Sequence, residues 1–233
     1  MSAISIAIQL FVLLFAITVH EASHGWAAYK MGDPTAHNLG RVTLNPLAHI
    51  DPVGTVLLPV MLALVGFPAF GWAKPVPVNP HNLRNPRRDN VWISFAGPAA
   101  NCLVAASAFV ALLVLKILDP GVNRFLRIIV RTLFKNPEIL RAALPRGLYP
   151  LEGLALVLYF LVIINIYLAV FNMIPVPPLD GSGVLMGLLS DQAAMRYDRL
   201  RPYGFLIVIA FIYFGLLNII IAPIQIFIDI LLG

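Results

Sequence analysis

The chain is predicted to fold as an all-α polytopic membrane protein, with about four transmembrane helices, a re-entrant or extended element and an amphipathic surface helix. Three observations lead there. First, 60% of its 233 residues are hydrophobic and only 12% are charged, with a mean hydropathy of +0.87; an ordinary soluble domain carries roughly 25% charged residues. Second, Ile4 to Tyr29, Val91 to Leu118, Leu151 to Ile174 and Phe205 to Leu232 are apolar runs, each long enough for a span of about 20 residues. Third, the remaining stretches carry the composition of turns or of a basic amphipathic helix rather than of a soluble core.

These elements form one membrane-embedded domain: a helix over 1–30, a re-entrant region over 37–90, a helix over 91–118, an amphipathic segment over 121–150, a helix over 151–189 that breaks near Asp180, and a final helix over 203–233. A fifth apolar run, Val53 to Phe70, is interrupted by Pro59 and then by Gly66 and Pro68, and only eleven residues lie between Gly54 and Gly66. Runs that short are re-entrant or interfacial rather than spanning. Its flanks, GRVTLNPLAHIDPVGT and GWAKPVPVNPHNLRNP, are rich in the residues that make turns and short extended pieces. Arg124, Arg127, Arg131 and Lys135 recur at helical spacing, with Phe125, Leu126, Ile128, Ile129, Leu133 and Phe134 filling the other face; such a helix lies on a membrane surface or meets a partner helix. In the final run, Pro223 is the expected kink or end.

The net charge of +5 and pI near 9.6 do not mark a nucleic-acid binder, because the basic residues sit in short loops beside apolar runs. There they orient helices and meet anionic lipid. Cys102 is the single cysteine, so an intrachain disulfide is excluded. The N-terminus carries neither a basic region nor a small-residue cleavage site, so the first helix is expected to be a retained anchor. At this length no additional soluble module is expected beside the spans.

Within the first helix the sequence reads HEASH, from His20 to His24. Residues four apart share one helix face, so the two imidazoles stand about one turn apart with Glu21 beside them. This is the spacing in which two histidines bind zinc and the glutamate acts as base toward a water that the ion activates. Ionisable groups on a membrane helix are costly unless paired or facing a watery cavity, so the alternative, a polar helix end at the interface, is the weaker account. Ala22, Ser23 and Gly25 are small and suit close packing around such a site.

Catalytic zinc takes three protein ligands and leaves one position open. Glu138 and Glu152 are the remaining glutamates and are poorly placed, one in the surface loop and one opening a helix. The better candidate is Asp180, in NMIPVPPLDGSG, where Pro175, Pro177 and Pro178 break an apolar helix and Gly181 follows. A break at membrane depth is tolerated only where it faces protein or a water-filled cavity. Its bland alternative is a cap on the short helix that follows. His37, His49 and Asp51 are rivals lying among prolines and turn residues, read as structural or substrate-facing.

HEASH on the first helix, FAGPAAN from Phe95 to Asn101, and NMIPVPPLDG on a later helix together resemble the signatures of the site-2 protease family of intramembrane zinc metalloproteases, in its compact branch without PDZ or CBS domains. The resemblance covers Ile4 to Leu189. It implies His20, His24 and Asp180 as ligands of one Zn2+ ion and Glu21 as general base. It implies Asn172, eight residues before Asp180, as a group that holds substrate or oxyanion, with Asn101 as a further support. The implied activity is hydrolysis of peptide bonds in single-span or signal-peptide-like membrane substrates. The implied setting is the bacterial plasma membrane, with the site toward the cytosol. The rival functions are a membrane metal-ion transporter and a non-catalytic relative that binds membrane proteins.

Topology is constrained by parity. The proposed ligands sit near the C-terminal ends of the first and fourth spans, so those helices must run in the same direction, with an odd number of crossings between them. The 91–118 helix supplies one, and the 53–70 run must therefore return to its own side. On that topology the zinc-side loops carry nine Lys or Arg and the opposite loops seven, a slight bias toward a cytosolic zinc face. Cysteines placed at Lys30 and Arg88 should therefore react with a membrane-impermeant thiol reagent from the same side; labelling from opposite sides contradicts the topology.

Overall fold

A computed structural model describes residues 3–58, 61, 71–132 and 149–232. The described elements are helical: α1 (Ala3–Lys30), α2 (Thr35–Asn38), α3 (Pro86–Leu118), α4 (Pro120–Thr132), α5 (Pro150–Asn172), α6 (Asp180–Leu188), α7 (Asp191–Asp198), α8 (Gly204–Tyr213) and α9 (Leu216–Leu232), with short 3-10 turns at Pro46–Ala48, Pro80–Asn82 and Arg201–Tyr203 and a π-helical turn at Pro52–Leu57. Three helices are long and apolar enough to cross a membrane, over Ala7–Lys30, Pro86–Leu118 and Pro150–Asn172. The protein is an all-α membrane protein.

The chain divides into two compact units. One comprises Met1–Leu13, Asn101–Phe171 and Leu206–Gly233; the other comprises Leu14–Ala100 and Asn172–Phe205. In the first, Val12, Leu112, Leu126, Leu156, Tyr159 and Leu232 are fully buried. Helix α4 is amphipathic as expected, with Arg124 and Arg127 exposed. Its apolar face is used within the protein, however: Val122, Phe125, Leu126 and Ile129 are buried in one cluster with Leu156, Tyr159 and Val162 of α5 and Ile228 of α9. Sequence periodicity identifies an apolar face but not what covers it. The basic stretch beyond Thr132, including Lys135, lies outside the described residues. In the same unit Asn101 donates to Asn165 at 2.7 Å, and Asn165 donates in turn to Leu161 O at 2.8 Å. Both asparagines are fully buried. Lipid supplies no hydrophobic drive between helices, so such a bond contributes about 1 kcal/mol to α3–α5 association.

The last apolar segment departs from its expected single helix. Gly215 adopts φ +68°, which ends α8 and starts α9, while Pro223 is carried inside α9. Glycine reaches the left-handed region without a Cβ clash, and a proline within a membrane helix is tolerated when neighbouring groups take up the freed carbonyl.

The second unit holds the stretch expected to be the re-entrant region. Trp72 N donates to Gly54 O at 3.1 Å and Thr55 Oγ1 donates to Trp72 O at 2.8 Å, so Trp72 lies against Gly54 and Thr55; residues 59, 60 and 62–70 lie outside the described set. A second closure is made by Asp33, just beyond α1. Its carboxylate accepts from Thr35 N (3.1 Å), Thr35 Oγ1 (2.5 Å), Asn79 N (2.7 Å) and Asn82 Nδ2 (2.8 Å). The end of α1 is thereby tied to the turn that leads into α3. Near the start of α3, Arg87 Nε meets Gly187 O of α6 at 3.1 Å, and Arg87 Nη1 pairs with Asp191 at 2.6 Å. The end of α1, the start of α3 and the helix that follows α5 thus meet in one place.

Burial alone would push the Asp33 carboxyl up, but the Asn82 and Thr35 side chains and the Asn79 and Thr35 amides outweigh it and hold the group below the usual carboxylate range. A depressed folded value makes this a stabilisation fully present above the unfolded value of about 4 and lost as pH falls through the lower folded value. Asp33→Asn should lower stability at pH 7 by about 1–3 kcal/mol, since donors are left without their acceptor. The gap to wild type should narrow below about pH 4. Thermal unfolding from pH 7 to pH 3 reads this directly, and a constant gap contradicts it.

Candidate metal centre

Helix α1 stays regular through HEASH, so His20 and His24 project from one face one turn apart. Their rings meet edge to face at 4.6 Å between centroids, 84° apart. Both are nearly fully buried. The opposite wall comes from the proline break after α5. Met173 to Leu179 run as irregular turns, with the Pro177–Pro178 peptide cis, and Asp180 opens α6. Leu179, not Asp180, occupies the capping position, so the aspartate is free of the cap role that was its alternative. Its Oδ2 lies 3.0 Å from His20 Nε2 and 3.4 Å from His24 Nε2.

The three residues each offer one ligand atom, all within 4.8 Å of one another. Two features fit a cation rather than a simple hydrogen-bonded cluster. Asp180 Oδ2 is buried and accepts no hydrogen bond of proper geometry despite these short approaches. And His24 Nδ1 lies 2.7 Å from Ile93 O. A carbonyl only accepts, so Nδ1 carries a proton; in the neutral imidazole Nε2, on the Asp180 side, is then the nitrogen with the lone pair that a metal would take.

Helix α3 closes on the pair through Gly97, in the FAGPAAN stretch. A Cβ at that position would stand 2.5 Å from His24 Nε2 and 2.7 Å from His20 Cε1. Gly181 plays the matching part beside Asp180, where a Cβ would strike Met173 O and Ile174 O. Glu21 lies next to the histidines, its Oε2 accepting from Val76 N at 3.1 Å. Val76 belongs to the irregular stretch 71–79 of the re-entrant region.

The other sequence candidates fall elsewhere. Asn172 is the last residue of α5, half-buried, seven residues before the Leu179 cap. Asn101 belongs to the other unit, in its bond to Asn165. Ser23 returns its hydroxyl to Val19 O. His37 stacks on Tyr29 at 4.6 Å, His49 Nε2 meets Thr43 O, and Asp51 caps the π-helical turn through Val53 N and Gly54 N. Glu152 accepts from Tyr149 N at the start of α5, and Glu138 lies outside the described residues. Sequence reasoning did not single out Gly97, Ile93 or Val76. Gly97 had a signal in its Gly-Pro motif; the other two act through backbone groups, which any residue supplies.

Gly97→Ala should displace the imidazoles and cut divalent-metal affinity by at least about tenfold, while the helical circular dichroism stays unchanged. Full metal content in the variant contradicts the packing account.

Residues 8–215 match Peptidase family M50. The chain is 34% identical over 195 residues to "Putative zinc metalloprotease YwhC" of Bacillus subtilis (strain 168), covering 84% of this chain and 75% of that protein. It is 28% identical over 205 residues to "Putative zinc metalloprotease Rip2" of Mycolicibacterium smegmatis, covering 88% of this chain and 66% of that one. No solved structure matches it significantly. With a family match across most of its length, the chain belongs to peptidase family M50, the site-2 protease family.

Proposed function

We propose that this protein is an intramembrane zinc metalloendopeptidase that cuts membrane-spanning or signal-peptide-like substrates. Its place is the bacterial plasma membrane, with the site toward the cytosol. The observation that carries the reading is the approach of His20, His24 and Asp180, from two distant parts of the chain, with Glu21 beside them. Two imidazoles, one carboxylate and an open position are a donor set suited to zinc. The relatives' names point to the same metal.

When bound, zinc supplies a Lewis acid that lowers the pKa of water toward neutrality and polarises the scissile carbonyl. The chain's own residues do the rest. Glu21 takes the proton from the attacking water at a carboxylate oxygen and, then protonated, returns it to the leaving amine. Asn172 steadies the substrate backbone or the developing oxyanion. Asn101 supports the site through helix packing rather than by touching substrate, a role its bond to Asn165 favours. A helical substrate has its carbonyls hydrogen-bonded and covered, so it must unwind locally before cleavage. Such a strand would find an edge to pair with in the re-entrant region between Leu44 and Pro80, whose stretch 71–79 is free of helix.

The test is cleavage of single-span peptides by purified, zinc-quantified protein. Glu21→Gln should lose about 10²- to 10⁴-fold in kcat with zinc retained. Asp180→Ala should lose zinc itself. An active Glu21→Gln variant, or full zinc occupancy without Asp180, overturns the assignment.

A further inference from the structure

Arg41 is a charged side chain 92% removed from solvent, its relative exposure being 8%. Among the described residues it forms no ion pair within salt-bridge distance. Its partners are backbone carbonyls: Nη1 donates to Ala48 O, and Nη2 donates to Lys74 O at 2.6 Å and to Pro75 O at 3.3 Å. Burying a guanidinium is expensive unless its donors are well met, and here Nε remains without a partner. Loop closure alone is a poor return for that cost, since Lys74 N already bonds His49 O at 3.0 Å and Asp33 ties down Asn79 and Asn82.

What Arg41 reaches is more specific. Pro75 C=O and Val76 N–H belong to one planar peptide group. The oxygen of that group faces Arg41, and its N–H donates to Glu21 Oε2 at 3.1 Å. A single peptide therefore joins a buried cation to the carboxylate beside the metal ligands, its dipole aligned between them. The sequence around it is KPVP. Proline has no N–H, so Val76 supplies the sole amide donor between Pro75 and Pro77.

We propose that Arg41 is a positioning residue for Glu21. It fixes and polarises the Pro75–Val76 peptide so that the Val76 amide holds one carboxylate oxygen and leaves the other for the attacking water. Arg41 does not touch substrate or metal, and its effect passes through one backbone amide. The inference rests on Glu21 serving as the base.

The experiment compares Arg41→Gln, Arg41→Lys, Val76→Pro and the Arg41→Gln/Val76→Pro double variant in zinc-loaded, full-length protein, with wild type as control. Val76→Pro removes the N–H without touching Arg41. Each single variant should lose about 10- to 100-fold in kcat, the usual effect of removing an outer-shell partner, with KM and zinc content unchanged. The double variant should be no slower than Val76→Pro alone, since both substitutions act through the same Val76–Glu21 bond. Independently of activity, hydrogen exchange at the Val76 amide, read by NMR on valine-labelled protein, should speed up in Arg41→Gln and in Glu21→Ala. Multiplicative losses in the double variant, an Arg41→Lys enzyme with wild-type kcat, or unchanged Val76 exchange overturns the proposal. So does misfolding of both Arg41 variants, which would make the residue a determinant of the fold. A wild-type protein that cleaves nothing would instead count against the peptidase reading, and the exchange data would still decide the Arg41 link.

Discussion

The structure depends on one constraint: ionisable side chains on a membrane helix must be matched by partners, and here the partners arrive from far along the chain. His20 and His24 lie within the first candidate span, where unpaired polar groups are costly. Asp180 answers them from beyond α5 at 3.0 and 3.4 Å. For those atoms to meet, the chain after α5 must turn back to bring Asp180 to α1, and α3 must pass close by without a side chain in the way. Each demand has a visible solution: the proline turns from Pro175 to Pro178, and Gly97 against the imidazoles.

A shell of backbone groups surrounds those side chains. Ile93 O fixes the His24 tautomer, the Val76 amide restrains Glu21, and Pro75 O connects that amide to Arg41. Backbone donors and acceptors suit this role because their positions are set by the packing of rigid elements and cost little side-chain entropy. Stretch 71–79, which contributes two of them, is kept irregular by prolines at 75 and 77, so its peptide groups are available to neighbours rather than consumed in a helix ladder.

How much of this was legible in the sequence follows from what kind of group does the work. HEASH and Asp180 were readable because imidazoles and carboxylates are rare and expensive in apolar runs. The membrane class and the long helices were readable from hydropathy and length. The partner of the α4 apolar face was not readable, since Phe125 and Ile129 look the same whether lipid or α5 covers them. The final helix was misjudged because Pro223 is the louder breaker in sequence, whereas Gly215 makes the break through its backbone conformation. Ile93 and Val76 were invisible because a carbonyl or an amide carries no residue-specific mark. Asn101 read as a site residue on its motif; its packed partner Asn165 sits 64 positions away and has no motif of its own.

The central claim is that His20, His24 and Asp180 hold one zinc ion. X-ray absorption at the zinc edge of purified protein tests it most directly. The account predicts one equivalent of zinc with two imidazole nitrogens at about 2.0–2.1 Å, carboxylate or water oxygen at about 2.0–2.2 Å, and no sulfur. A sulfur shell near about 2.3 Å, which in this chain means Cys102 or a methionine, or a zinc site with fewer than two imidazoles, would contradict it.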